Sequence, residues 1–147
     1  MRLIKTPTNG LWTFPILIKV TKYNNPDMLK NILIVGLGGF LGTVLRFLAY
    51  HFTKNIPSHW ITLSVNLLGC LLIGVFLGLL KNEGLINNEK LFLATGFCGG
   101  FTTFSAFSME NVNLFQEGKF GLAALYIMIS VLGGLSLSFI GYKLTNA

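Results

Sequence analysis

The fold turns on one stretch, Gly96-Phe97-Cys98-Gly99-Gly100-Phe101-Thr102-Thr103-Phe104-Ser105-Ala106-Phe107-Ser108-Met109-Glu110. It lies inside an apolar run from 91 to 115 whose single carboxylate is Glu110. As a helix, that run is long enough to cross about 30 Å of hydrocarbon. Its centre is a poor helix former. Gly99 and Gly100 cost backbone entropy, and Thr102 and Thr103 are β-branched, with hydroxyls that compete for backbone groups. Two structures fit: a continuous helix whose glycines pack tightly, or a helix interrupted near the bilayer centre. In the second, neither half spans alone, and broken backbone at that depth is tolerated only where protein or a cavity satisfies it. Freed carbonyls there can hold a cation, and the following amides favour an anion.

Working outward, three more apolar segments appear, at 32–52, 60–80 and 120–142. The first is broken only by Arg46 and His51 near its end; the other two carry no charge. Pro57 sits in the first gap and Gly84, among polar residues, in the second. The gap at 116–119 is short, which predicts an antiparallel hairpin of the third and fourth helices. The chain has 147 residues, 52% hydrophobic and only 11% charged, against about 25% charged in a soluble domain. A domain this small cannot hide so much apolar surface in water. The composition excludes a water-soluble enzyme, a disordered chain and a disulfide-stapled secreted module. It leaves an all-α integral membrane protein with four transmembrane helices, the third of them either continuous or broken.

Residues 1–27 differ in character. Pro7, Pro15 and Pro26 interrupt them, and the apolar run 11–18 is too short to span. No small-residue cleavage site follows it, which argues against a signal peptide. The segment reads as an N-terminal extension, either interfacial or a non-native start, because Met28 opens a compact four-span unit of its own (28–147). Net charge is +6, yet the lysines punctuate the gaps between spans rather than forming a patch, so they read as membrane-flanking charges and not as phosphate ligands. With both termini inside, Lys30, Lys81, Lys90 and Lys143 face inward and Lys54 and Lys119 outward. That weak bias permits insertion both ways, while the basic residues before Met28 would firm it. Cys70 and Cys98 lie in apolar stretches without a CxxC pair and read as buried free thiols.

Polar groups inside a span are costly and mark functional candidates. Arg46 is either a snorkelling anchor or a positive field near an anion entrance. Asn66, in the middle third of the second span, either ties two helices together or offers its amide donors to a polar path; Thr62 lies one turn earlier on the same face. Phe104 and Phe107 share a helix face. They suit lipid or core, but ring edges carry positive quadrupole density and can face an anion. Ser105 and Ser108 flank them with hydroxyls, and Tyr126 and Ser130 share a face of the fourth span. Together with Thr103 these groups make a track rich in donors and poor in formal charge. Such a track suits a small, strongly hydrated anion, which needs hydrogen bonds in place of lost water but no buried cation to trap it. Asp27, Glu83, Glu89 and Glu117 lie outside the spans, so no mid-membrane carboxylate is present to carry protons or cationic drugs.

Glycines four apart recur at Gly38/Gly42, Gly74/Gly78 and Gly96/Gly100, a spacing that allows close helix approach. The run Gly36-Leu37-Gly38-Gly39 is not a nucleotide fingerprint, since it lies within an apolar span with no strand before it. Four spans enclose little volume, so a pore calls for two chains.

Gly38-Gly39-Phe40-Leu41-Gly42 leading to Arg46-Phe47, then Asn66-Leu67-Leu68-Gly69, then Gly96 through Phe107 resemble the CrcB/Fluc fluoride channel family, from Met28 to the C-terminus. The resemblance implies a bacterial fluoride exporter acting as a passive channel, not an enzyme. It implies an antiparallel dual-topology dimer, with two pores and a structural sodium on the two-fold axis. By position, backbone carbonyls of Gly99 and Thr102 would hold the sodium. Phe104 and Phe107 would be the paired pore phenylalanines, Asn66 the pore asparagine, Tyr126 and Ser130 the fourth-helix track, and Glu110 the carboxylate near a pore mouth. Ala106 departs from the family's usual Thr. The missing hydroxyl leaves a homodimer and a heterodimer with a paralogous chain both open. Rival readings are a non-conducting membrane scaffold or assembly factor, which needs glycine packing but no track, and a small drug/proton antiporter, which wants a carboxylate in the first span, where this chain has none.

Overall fold

The computed structural model describes residues 27–82 and 87–145. The N-terminal extension up to residue 26, and with it the choice of start, lies outside the described residues. Four helical stretches are long and apolar enough to cross a membrane: Met28–Phe52, Ser58–Leu80, Lys90–Gln116 and Phe120–Thr145. We call Met28–Phe52 α1 and Ser58–Asn82 α2. The third stretch opens with Lys90–Cys98 and continues as Gly99–Phe101, together α3. It resumes as Phe104–Gln116, α4. The fourth, Phe120–Thr145, is α5. The long apolar runs form helices because nothing else satisfies a backbone in hydrocarbon. The loops fall where the sequence turns polar, and Gly118 makes the tight turn between α4 and α5 with a positive φ of 71°, a conformation that suits glycine.

Two glycine seams hold the bundle. On α1, a Cβ at Gly38 would come within 2.3 Å of the Phe92 carbonyl oxygen, and one at Gly42 within 2.2 Å of that of Phe97. From the other side, a Cβ at Gly100 would come within 2.3 Å of the Gly39 carbonyl oxygen. α1 and α3 therefore touch backbone to backbone. The second seam joins α2 to α5: a Cβ at Gly74 would lie 2.1 Å from the Ser138 carbonyl oxygen, and one at Gly141 2.5 Å from that of Leu71. Ser138 Oγ donates across it to Cys70 O at 2.9 Å, and Thr145 Oγ1 to Val75 O at 3.2 Å. Lipid tails are as apolar as leucine, so such close contact and hydrogen bonding drive association here.

α2 is the most enclosed span and α1 the least. A small core of Leu63, Leu114, Ala123 and Tyr126 ties α2, α4 and α5 together, with Ala123 and Tyr126 fully buried. Both cysteines are free thiols.

Candidate functional site

The backbone is helical through Phe101, extended at Thr102 (φ −82°, ψ 158°) and Thr103 (φ −149°, ψ 108°), and helical again from Phe104. Gly99 is itself helical (φ −63°, ψ −37°). The two threonines, not the glycines, carry the extended backbone. Thr102 Oγ1 donates to Cys98 O at 2.9 Å. Thr103 Oγ1 accepts from the Ala106 amide at 3.2 Å and so caps α4; such a cap is worth about 1 kcal/mol.

Asn66 closes the gap from α2. Its Oδ1 accepts from the Thr103 amide at 2.8 Å and its Nδ2 donates to the Thr103 carbonyl at 3.2 Å. One side chain thus satisfies both backbone groups of an extended residue that no helix ladder serves. Gly69, one turn further, leaves room for the Thr102 methyl: a Cβ there would meet it at 2.2 Å.

Around this point lies a cavity of about 250 Å³, lined by Asn66, Cys70, Thr102, Thr103, Phe104, Phe107, Ser130 and Val131. Five of the residues singled out for the donor track therefore meet, from three spans: Asn66, Thr103, Phe104, Phe107 and Ser130. Ser130 Oγ is buried there without a hydrogen-bond partner among the described residues. The Phe104 and Phe107 rings stand 5.6 Å apart. The Phe107 and Tyr126 rings pack edge to face, their centres 5.1 Å apart and their planes inclined at 61°.

Tyr126 leads to Glu110. Its hydroxyl donates to Glu110 Oε2 at 2.8 Å, and Thr62 Oγ1 donates to Glu110 Oε1 at 2.7 Å. The Tyr50 hydroxyl lies 2.5 Å from Thr62 Oγ1. Since the Thr62 proton points to the carboxylate, Tyr50 is the donor of that bond. All four spans thus meet at Glu110 in a chain of hydroxyls. Among the described residues the one ion pair within 4 Å is Lys119–Glu117 at 2.8 Å, so Glu110 is held by two hydroxyl donors and by no direct ion pair.

Glu110 borders two further hollows. One, about 290 Å³, opens beside the 53–57 and 117–119 loops and includes His59, Asn113, Glu117 and Lys119 in its wall. The other is an apolar groove of about 460 Å³ between α1 and α4, lined by Thr43, Arg46, Phe47, Tyr50, Ala106, Met109 and Glu110. Arg46 lies on this groove and not on the mid-span cavity, and Ala106 opens onto the groove as well. Ser105 is exposed, its Oγ 3.1 Å from Thr103 Oγ1. Ser108 donates to Phe104 O of its own helix at 2.9 Å. Gly99 is exposed with nothing near its Cα face, while Thr102 lines the mid-span cavity. The sequence reading passed over Tyr50 and His59; neither sits in a motif, and only the fold brings them to Glu110.

Fold and site together define a multi-pass membrane protein with a small hollow halfway along its spans, bordered by Asn66 and Ser130, and a carboxylate–hydroxyl cluster nearer one end. Comparison with known proteins agrees. The profile described as CrcB-like protein, Camphor Resistance (CrcB), matches residues 33–142, and the chain belongs to that family. A protein of Azobacteroides pseudotrichonymphae genomovar. CFP2, named fluoride-specific ion channel FluC, is 48% identical over 81% of this chain and 98% of its own length. Proteins of the same name from Methylobacillus flagellatus, at 41% identity over 78% and 94%, and from Flavobacterium psychrophilum, at 44% over 77% and 94%, are similar too.

Proposed function

We propose that this chain is a fluoride-selective passive channel of a bacterial plasma membrane, which lets cytoplasmic fluoride out down its electrochemical gradient. The observation that carries the reading is the mid-span cavity. It is lined by the Asn66 amide, by Ser130 with its unpartnered hydroxyl and by the Phe104 and Phe107 rings, and by no charged side chain. Fluoride is small and strongly hydrated; such neutral donors replace its water without holding it fast. The extended residues at Thr102 and Thr103 act as the break of a transmembrane helix, opening the wall where the ion passes. The Tyr126 and Thr62 hydroxyls are buried and committed to Glu110, so they position that carboxylate rather than face the ion. The purified chain in liposomes should pass fluoride and exclude chloride. Comparable chloride flux would refute the selectivity.

The working unit is an antiparallel dual-topology dimer. Phe104 is 79% exposed and much of α1 is bare, and the groove beside Arg46 and Ala106 lacks a far wall. A second copy, or a paralogous chain bringing the hydroxyl that Ala106 lacks, would supply that wall. Crosslinking of the purified chain alone separates these two cases.

A structural sodium fits the end of α3. In an unbroken helix the Thr103 amide would bond the Gly99 carbonyl; here it bonds Asn66. The Gly99 carbonyl therefore lacks its helical donor, at a helix C-terminus that favours a cation. Oxygen ligands suit a hard cation. Gly99 and Thr102 carbonyls from this chain, with those of its partner, would hold the ion and pin two breaks together. Exchanging sodium for a bulky organic cation should weaken the dimer; an unchanged dimer would remove the ion from the proposal.

A further inference from the structure

His59 takes no part in the track described above, yet it lies at the mouth of that track. It sits in the first turn of α2, and its Nε2 is buried with no hydrogen-bond partner among the described residues. Its ring packs 5.9 Å from Tyr126 and 5.1 Å from Trp60. It lines the hollow of about 290 Å³ together with Glu110 and Asn113 of α4 and with Glu117 and Lys119 of the following loop. His51, the other histidine, instead stacks on Phe47 and meets Phe52 edge-on.

The titratable groups around the imidazole are few. From α4 comes Glu110, held by Thr62 and Tyr126. From the loop come Glu117 and Lys119, paired with each other at 2.8 Å. From α5 comes the Tyr126 phenol, and from α1 the Tyr50 phenol, which reaches the cluster through Thr62. The Glu117–Lys119 pair cancels, so the hollow carries the single negative charge of Glu110 while His59 is neutral. An arriving anion meets that charge. Protonating the imidazole brings the formal sum to zero and turns Nε2 into a donor. Imidazole is the side chain suited to such a change between pH 5 and 8, and the ring borders a hollow roomy enough for water; a small shift of the ring brings Nε2 to it.

We propose that His59 is the proton sensor of this mouth: its protonation opens the hollow to an anion and ties the channel's throughput to pH. The proposal rests on the fluoride-channel reading. One unit of charge facing the ion at the mouth changes its local concentration by about fivefold.

The test uses the full chain in liposomes, with fluoride efflux recorded at about pH 8 and about pH 5.5. Protein-free vesicles at each pH give the background of neutral acid crossing lipid. Wild type should conduct about fivefold faster at the acid pH; His59→Gln and His59→Asn should bring that ratio to about one. A flat profile in the wild type, or an undiminished ratio in both variants, overturns the proposal and moves any sensing to Glu110. A second readout needs no variant to fold differently. In histidine-labelled wild type followed by NMR, added fluoride should raise the midpoint of one imidazole, while chloride leaves it in place; His59→Gln identifies the signal. Absence of that shift also overturns the proposal. Absence of fluoride flux at any pH overturns the channel reading instead.

Discussion

The two halves of the third span are built on opposite rules. Residues 90–101 present glycine to α1, and their backbone lies against the backbone of Gly38, Gly39 and Gly42. Residues 104–116 contain no glycine. They meet α2 and α5 through side chains: Phe107 on Tyr126, and Glu110 on Thr62 and Tyr126. The first half is held by shape and tolerates no added atom at Gly96 or Gly100. The second is held by hydrogen bonds and leaves hollows. Between them stand two extended residues that a single amide from α2 secures. The chain keeps close packing and open space apart along its third span, because close packing leaves no room and a hollow at that depth needs its backbone polar groups satisfied.

The largest effect should come from violating the first rule. A Cβ at Gly100 would lie 2.3 Å from the Gly39 carbonyl oxygen and 2.9 Å from its Cα, so the two helices must part. Gly100→Val should cost about 3 kcal/mol or more, the upper range for overpacking, and should sharply reduce the monodisperse fraction in detergent. Gly36→Ala, where nothing lies within 4 Å, should leave that fraction unchanged. Equal behaviour of the two variants would break the claim that backbone contact holds this half.

Next comes the junction. Asn66→Ala strips both partners from the Thr103 backbone, and each orphaned buried group costs roughly 1–3 kcal/mol. Fluoride flux should vanish and thermal stability should fall together. Asn66→Asp keeps an acceptor for the Thr103 amide and loses the donor to its carbonyl. It should recover part of the stability, and failure to do so would mean that the amide bond is not what secures the turn.

Phe104→Ile separates the two rules. The ring is 79% exposed within the chain, so its loss should leave thermal stability within about 0.5 kcal/mol, as for other surface sites. Flux should still drop about tenfold if the ring edge faces the ion, a worth near the upper end for aromatic contacts. Unchanged flux would confine the passage to the other wall of the cavity.

How far the sequence shows this arrangement depends on what each residue needs. The spans are legible almost to the residue, because charge is confined to their ends: the run 91–115 becomes Lys90–Gln116, and 120–142 becomes Phe120–Thr145. The glycine pairs are legible because small residues four apart have one common use in lipid. Asn66 was caught between two roles; its contacts here are those of a tie between helices, and it borders the cavity as well. Less legible is the position of the extended backbone. Helix propensity draws attention to Gly99 and Gly100, yet both remain helical: Gly100 lies against the backbone of Gly39, while Gly99 faces open space. The hydroxyls of Thr102 and Thr103, together with an amide 37 positions away, place the extended pair three residues on from the glycines. Least legible are Tyr50 and His59, which reach Glu110 only once four helices are stacked. No local pattern records such a meeting.

The smallest effects fall within the polar half and rank its hydroxyls. Tyr126→Phe removes one of the two donors to Glu110 but leaves the buried ring against Phe107 and the core. A bond to a charged group is worth roughly 1.5–3 kcal/mol. Because Thr62 still serves the other carboxylate oxygen and water reaches the half-buried group, the loss should sit near the lower figure. Ser105→Ala removes a hydroxyl that is exposed and touches only Thr103 Oγ1 among the described residues. Thr103 keeps its bond to the Ala106 amide, so the cap survives, and the cost should stay below about 0.5 kcal/mol. The order of these two variants in a denaturation series tests whether the carboxylate organises this half. If Ser105→Ala costs as much as Tyr126→Phe, the hydroxyls act singly and Glu110 is not their centre. If the gap holds, the polar half has a core of its own, built on one charge instead of on the absence of side chains.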